Sequence, residues 1–280
     1  MTPRGPADDD PWALLGLEGH PASRTPPAPD AVAAGLRALE APEVPGADDG
    51  ADPAGGAPTT TGLTTAGLTT AGLLPALGAL VPAVLARHRR LGLPDDVSRA
   101  TLADVGRKVG TYGEGIDAEW LLALLRADVV AVGRLQVERV ASAHGRALHV
   151  PEGDPLDVRA VHDSVVRADA LLGAAPITCT SWLLDPWLGR VLPPGSGIVA
   201  FASLFRLEAA PAPDLGGAPT SSDREVVRFV LRRPLEELLE PGGAPPVDVE
   251  RWTSLQRLVL ERLRSGEHWR EPRGTYVGPR

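Results

Sequence analysis

The sequence predicts an α/β fold, with strands and helices alternating after a small helical domain and a low-complexity N-terminal segment. Three observations point there. Pro, Gly, Asp and Ala dominate residues 1–11 and 41–60, a composition that cannot bury enough surface to offset the entropy of ordering it. From Leu74 onward apolar residues recur at helical spacing, and from Val129 β-rich runs alternate with further helical patterns. The chain therefore reads as three parts: residues 1–72 largely disordered, a helical N-terminal domain over 73–127, and an α/β domain over 128–280.

In the first part, Trp12–Leu17 and Ala31–Glu40 are short apolar patches able to dock as helical turns, and the five-residue repeat over 62–71 reads as linker. Leu74, Leu77, Val81, Val84, Leu85, His88 and Leu91 then share one helical face, with Gly92 as the stop. A second helix is expected over Ser98–Val109 and a third from the cap Asp117. Val129–Val140 reads as one strand, His144-Gly145 as a hairpin turn and Ala147–Val150 as the return strand. A helix is expected to open at Pro155, capped by Asp154. Ile177–Leu183 reads as a strand, Asp185–Val191 as a short helix, and Ile198–Leu207 and Glu225–Arg232 as strands; a last helix carries Trp252, Leu255, Leu258, Val259 and Leu263.

With 36 acidic and 28 basic side chains, the net charge of −8 argues against a nucleic-acid partner. The longest basic run, Arg87–Arg90, closes a helix, where cations complement the dipole. A single cysteine excludes an internal disulfide. The N-terminus carries no signal-peptide pattern and no apolar run is expected to reach membrane-spanning length, so a cytoplasmic location with no membrane partner is expected. His20, His88 and His162 share no ligand spacing, so no metal is expected, and neither a phosphate-binding Walker loop nor a dinucleotide fingerprint is present.

Seven stretches carry a family resemblance: Thr101–Lys108, Trp120-Leu121, Gly133–Gln136, His149–Gly153, Cys179–Pro186, Leu192–Ser196 and His268-Trp269. Together with the element order, they resemble an actinobacterial group of acyltransferase-domain proteins with a GNAT-like C-terminal domain, over roughly residues 74–280. The resemblance implies a GNAT-like mixed β-sheet flanked by helices. It also implies an N-acyltransferase that moves an acyl group from acyl-CoA or acetyl-CoA to an amine of a small molecule or peptide. In such enzymes backbone amides where the central strand turns into the next helix hold the CoA pyrophosphate, which here points to Val150, Gly153, Asp154 and Leu156. The usual signature at that turn is Gln/Arg-x-x-Gly-x-Gly/Ala. This chain has Val150-Pro-Glu-Gly-Asp-Pro-Leu156 instead, with one glycine, no basic residue and two carboxylates. Pro151 and Pro155 also remove two donors. That departure motivates an alternative, a GNAT-shaped binding or regulatory protein without CoA chemistry.

The residues offer several groups for transfer to an amine. Arg134, Gln136 and Glu138 alternate with Leu135 and Val137, so on a single strand they share a face. On an interior strand that row lines a polar cleft, with Arg134 and Gln136 toward substrate and Glu138 as the general base; on an edge strand it is a solvated face. His149 lies across from the row or is a satisfied core histidine. Glu152 is either a base above the amine or a loop carboxylate. Cys179 and Ser181 share a face of the next strand, and either becomes a nucleophile only if a base such as His149 meets it; otherwise Cys179 is a small core residue.

Overall fold

The computed structural model describes residues 10–41, 68–209, 220–233, 235, 238 and 251–279. The chain divides into two compact units, the first ending at Thr178 and the second running from Cys179 to the C-terminus. Across the expected boundary at residue 127, Thr101, on a helix of the expected helical domain, donates to Val97 O and accepts from the amide of Ala131 on the first strand. Helices and sheet therefore share one buried layer.

In the first unit, α1 (Pro11–Leu14) and α2 (Pro29–Glu40) pack through Leu14, Leu15, Leu17, Ala34 and Leu39 into a common core. The two apolar patches expected to dock as helical turns, Trp12–Leu17 and Ala31–Glu40, thus do so, and order extends over residues 10–41 of a segment expected to be largely disordered. The repeat that begins at Gly62 lies mostly outside the described residues. Its end is α3 (Thr70–Leu73), where Thr70 donates to Ile116 O. A 3-10 turn leads into α4 (Leu77–Arg90), with Gly92 beyond it at φ +74°. The helical run Thr70–Arg90 spans 21 residues with a mean hydropathy of 1.5 in its most apolar window, long and apolar enough to cross a membrane, contrary to expectation. Its apolar stripe, Leu73, Leu77, Leu80, Val81, Val84 and Leu85, is spent on the unit's own core. α5 (Asp95–Tyr112) and α6 (Ala118–Arg126) follow, the latter capped by Asp117 as expected.

The expected single strand over 129–140 is a hairpin, β1 (Val129–Val132) and β2 (Leu135–Glu138), closed by Gly133-Arg134. Gly133 has φ +61° and an added Cβ would stand 2.5 Å from Ser164 Oγ, so the turn requires glycine. β3 (Arg146–His149) pairs antiparallel with β2, placing His149 opposite Gln136. β4 (Ile177–Thr180) pairs parallel with β3 through Arg146–Ile177 and Ala147–Thr178, which makes the sheet mixed. Leu148 and His149 run past the end of that ladder. α7 (Val158–Leu172) is capped by Asp157, which accepts from Ala160 N, and not by Asp154. Pro155 therefore belongs to the preceding turn.

In the second unit the two expected late strands are mostly helix. Ile198–Leu207 becomes α9 (Gly197–Ala202), capped by Ser196, followed by β5 (Phe205–Leu207); the short helix before it is α8 (Leu188–Val191). Glu225–Arg232 lies in α10 (Ser221–Leu231), where Thr220 and Asp223 form a capping box and Val226, Val227 and Leu231 are buried at helical spacing. α11 (Ser254–Arg264) starts after Trp252, and β6 (Arg273–Tyr276), which sequence reasoning missed, pairs antiparallel with β5. The unit centres on Arg262, whose guanidinium lies 4.5 Å from both the Trp187 and Trp269 rings and bonds Asp185 at 3.0 Å. Asp223 accepts from Thr220 N, Trp269 N and the His268 ring.

Candidate active site

The first unit gathers a polar group between α5, the β2–β3 pair and the turn that follows β3. Asp104, Lys108 and Tyr112 are spaced by four on α5 and so share one face. On the sheet, Gln136 and Glu138 lie two apart on β2 and Gln136 pairs with His149, so all three share a face. Gln136 is 1% exposed; its amide nitrogen donates to Asp104, which is fully buried and also accepts from Arg107. Burial pushes the Asp104 carboxyl above its usual range against the pull of the Lys108 and Arg107 charges. The Gln136 carbonyl oxygen has no partner among the described residues. Through its amide nitrogen the Gln136 side chain turns toward α5, not into an open row.

His149 Nε2 stands 3.4 Å from Glu138 Oε1 without a hydrogen bond between them, and both side chains are partly exposed. The Trp120 and His149 rings stand nearly perpendicular, with centroids 5.0 Å apart. These two expected residues do come together.

The remaining expected residues of this unit build the turn 150–156. Arg134, expected on the polar row, sits instead at the hairpin turn. Its guanidinium donates to the carbonyls of Pro151 at 2.9 Å, Asp154 at 2.6 Å and Pro155 at 3.3 Å, and its amide bonds Ser164 Oγ at 2.8 Å. Arg134 is a clamp on the turn. Glu152 accepts from Lys108 Nζ at 3.0 Å and from the Tyr112 hydroxyl. Burial alone would raise the Glu152 carboxyl, but Lys108 and Tyr112 outweigh it and hold the group below its usual range. Glu152 is thus a paired anion. Gly153 adopts φ +116° with open space around it. Among the described residues the amides of Gly153, Asp154 and Leu156 donate to no protein acceptor.

Cys179 and Ser181 belong to the second unit. Burial pushes the Cys179 thiol up to about 12, so it is a neutral core thiol at physiological pH. Ser181 Oγ accepts from Leu183 N and caps the turn Trp182–Leu184. Among the described residues no three His, Cys, Asp or Glu side chains group to hold a metal.

Sequence reasoning assigned no site role to Asp104, Lys108, Tyr112 or Trp120, although all but Tyr112 lie in stretches that carry the family resemblance. The i, i+4, i+8 spacing of the first three was legible, but polar side chains at that spacing read equally as a solvated face.

Two family descriptions match the chain: "N-acyltransferase N-terminal domain" over residues 46–115 and "GNAT-like C-terminal domain" over residues 120–276. Among solved structures, an acyltransferase in complex with CoA and 10C-teicoplanin is 28% identical, with a TM-score of 0.71, over 100% of this chain and 90% of that one. An acyltransferase with decanoyl-CoA and teicoplanin is also 28% identical, with a TM-score of 0.69 and the same coverage. An acyltransferase with decanoyl-CoA alone is 26% identical, with a TM-score of 0.64, over 99% of this chain and 81% of that one. No curated protein matches.

Proposed function

Since the chain belongs to the acyltransferases that carry a GNAT-like C-terminal domain, we propose how its site divides the work of moving an acyl group from acyl-CoA to an amine. The acyl-CoA pyrophosphate takes the amides of Gly153, Asp154 and Leu156, and the thioester lies beside the end of β3. His149, backed by Glu138, removes the proton as the amine nitrogen attacks the thioester carbonyl. The tetrahedral intermediate then collapses, the C–S bond breaks, and the proton held by His149 passes to the departing CoA thiolate. Amide and CoA thiol are the products, and no covalent enzyme intermediate is needed. A neutral, buried Cys179 agrees with direct transfer.

The observation that carries this reading is the turn. Its carbonyls are taken up by Arg134, its acidic side chain Glu152 is paired with Lys108, and three of its amides are left over in the turn that directly follows His149. Unused amides clustered where a strand meets a helix suit an anion. For the acceptor, similarity to acyltransferases that hold teicoplanin makes a glycopeptide amine of that kind the first to test, with decanoyl-CoA as donor.

The test is steady-state release of CoA thiol from decanoyl-CoA in the presence of such an amine. His149→Ala and Glu138→Gln should each lower kcat by about 10²–10⁴-fold with KM for decanoyl-CoA unchanged. Wild-type kcat in His149→Ala would contradict the assignment.

A further inference from the structure

We propose that Lys108 and Tyr112 are positioning residues for acyl-CoA: they hold the Glu152 carboxylate away from the amides of the turn 150–156 so that these can donate to the cofactor's phosphates. The inference rests on the reading that this turn receives acyl-CoA.

The need for such a device follows from the residues. A carboxylate at Glu152, one residue before the first free amide, is like-charged to a pyrophosphate. Repulsion of this kind at a few ångströms costs an order of magnitude or more in affinity near a protein surface. The structure removes that charge in two ways. Lys108 Nζ lies 3.0 Å from Glu152 Oε2, with the Lys108 and Glu152 side chains only 8% and 9% exposed, so the pair is neutral toward its surroundings and poorly screened by solvent. Tyr112 donates to the other carboxylate oxygen, and both partners project from the same face of α5. The Lys108 ammonium in turn lies 5.7 Å from the ring centroids of Tyr112 and Trp120, which hold it in place. Arg134 in turn binds the carbonyls of Pro151, Asp154 and Pro155. Between these anchors Gly153, at φ +116°, reverses the backbone. Helix α5 thus takes the side chain, Arg134 takes the carbonyls, and the amides remain. The same arrangement accounts for a turn that lacks the usual basic residue yet carries a glutamate: the counter-charge is supplied from α5.

The test is calorimetric titration of the full chain with CoA in four forms: wild type, Lys108→Met, Glu152→Gln and the double variant. Lys108→Met should weaken CoA at least about tenfold. Glu152→Gln should stay within about twofold of wild type, because the charge to be hidden is gone, and the double variant should recover to the same range. A merely structural role for the pair predicts instead that Glu152→Gln weakens binding and that the double variant shows no recovery; either result overturns the proposal. So does a Lys108→Met affinity within twofold of wild type. Should Lys108→Met fail to fold, Tyr112→Phe, which keeps the ion pair, should weaken CoA severalfold, and an unchanged affinity there counts against the inference. A wild-type chain that does not bind CoA at all sinks the reading of the turn itself. Binding by wild type with indifferent variants sinks only the role of Lys108 and Tyr112.

Discussion

His88 is fully buried in the last turn of α4, with Nε2 on Leu125 O at 3.1 Å and Nδ1 without a partner among the described residues. Burial lowers its pKa from 6.5 to about 4. The unfolded chain therefore binds a proton on this residue below pH 6.5, while the folded chain resists it down to about 4. Stability must then fall as pH drops through that window. At about 1.4 kcal/mol per unit, the loss by pH 4 is about 3 kcal/mol. His88→Gln, which keeps a donor for Leu125 O, should flatten the urea-denaturation stability between pH 4 and 6.5; an unchanged slope would assign the acid sensitivity to other groups. Glu152 adds in the same direction lower down, because its depressed carboxyl contributes stability above its unfolded pKa and loses it as pH falls through the folded one. Residue chemistry of this kind was half legible in the sequence. Glu138 and His149 were singled out and do meet, whereas Arg134 was placed on a strand face it does not occupy. Val-Val-Ala-Val-Gly-Arg-Leu-Gln-Val-Glu reads as one unbroken β run. Only the Gly133 turn, demanded by the approach of Ser164, splits it.

At the scale of elements, α5 is the piece on which both the core and the site depend, and two of its glycines separate packing from propensity. A Cβ on Gly106 would stand 2.3 Å from the Gly16 carbonyl oxygen just after α1, a backbone contact that cannot yield without moving α1. A Cβ on Gly110 would meet nothing within 4 Å. Gly106→Ala should therefore lower the urea midpoint by the equivalent of about 1–3 kcal/mol. Gly110→Ala should leave it unchanged or raise it by up to about 1 kcal/mol, the helix-propensity gain. Equal effects from the two would mean that α1 does not pack against α5 as described. The helices with a clean 3.6 period, α4 to α7 and α11, were legible to within a few residues, although α4 and α5 have no side-chain cap. α9 and α10 were not, because runs such as Glu225–Leu231 are rich in β-branched and aromatic residues. Tertiary burial of Val226, Val227 and Leu231, with the Thr220–Asp223 cap, outweighs that local preference.

For the whole molecule, element order and scattered motifs were enough to point to the GNAT-like family, and the domain matches and related acyltransferase structures agree. What the order of residues could not convey is the meaning of the departure at 150–156. In one dimension the turn looks hostile to an anion; in three, its glutamate is neutralised by a lysine 44 positions earlier. Partners so distant in sequence leave no local signal. The central claim is that these leftover amides receive acyl-CoA, and a crystal structure of the chain with decanoyl-CoA tests it most directly. The account predicts pyrophosphate oxygens within hydrogen-bond reach of the Gly153, Asp154 and Leu156 amides, with Glu152 still on Lys108 and the thioester beside His149. Cofactor bound elsewhere, or a turn left empty in saturated crystals, would contradict it.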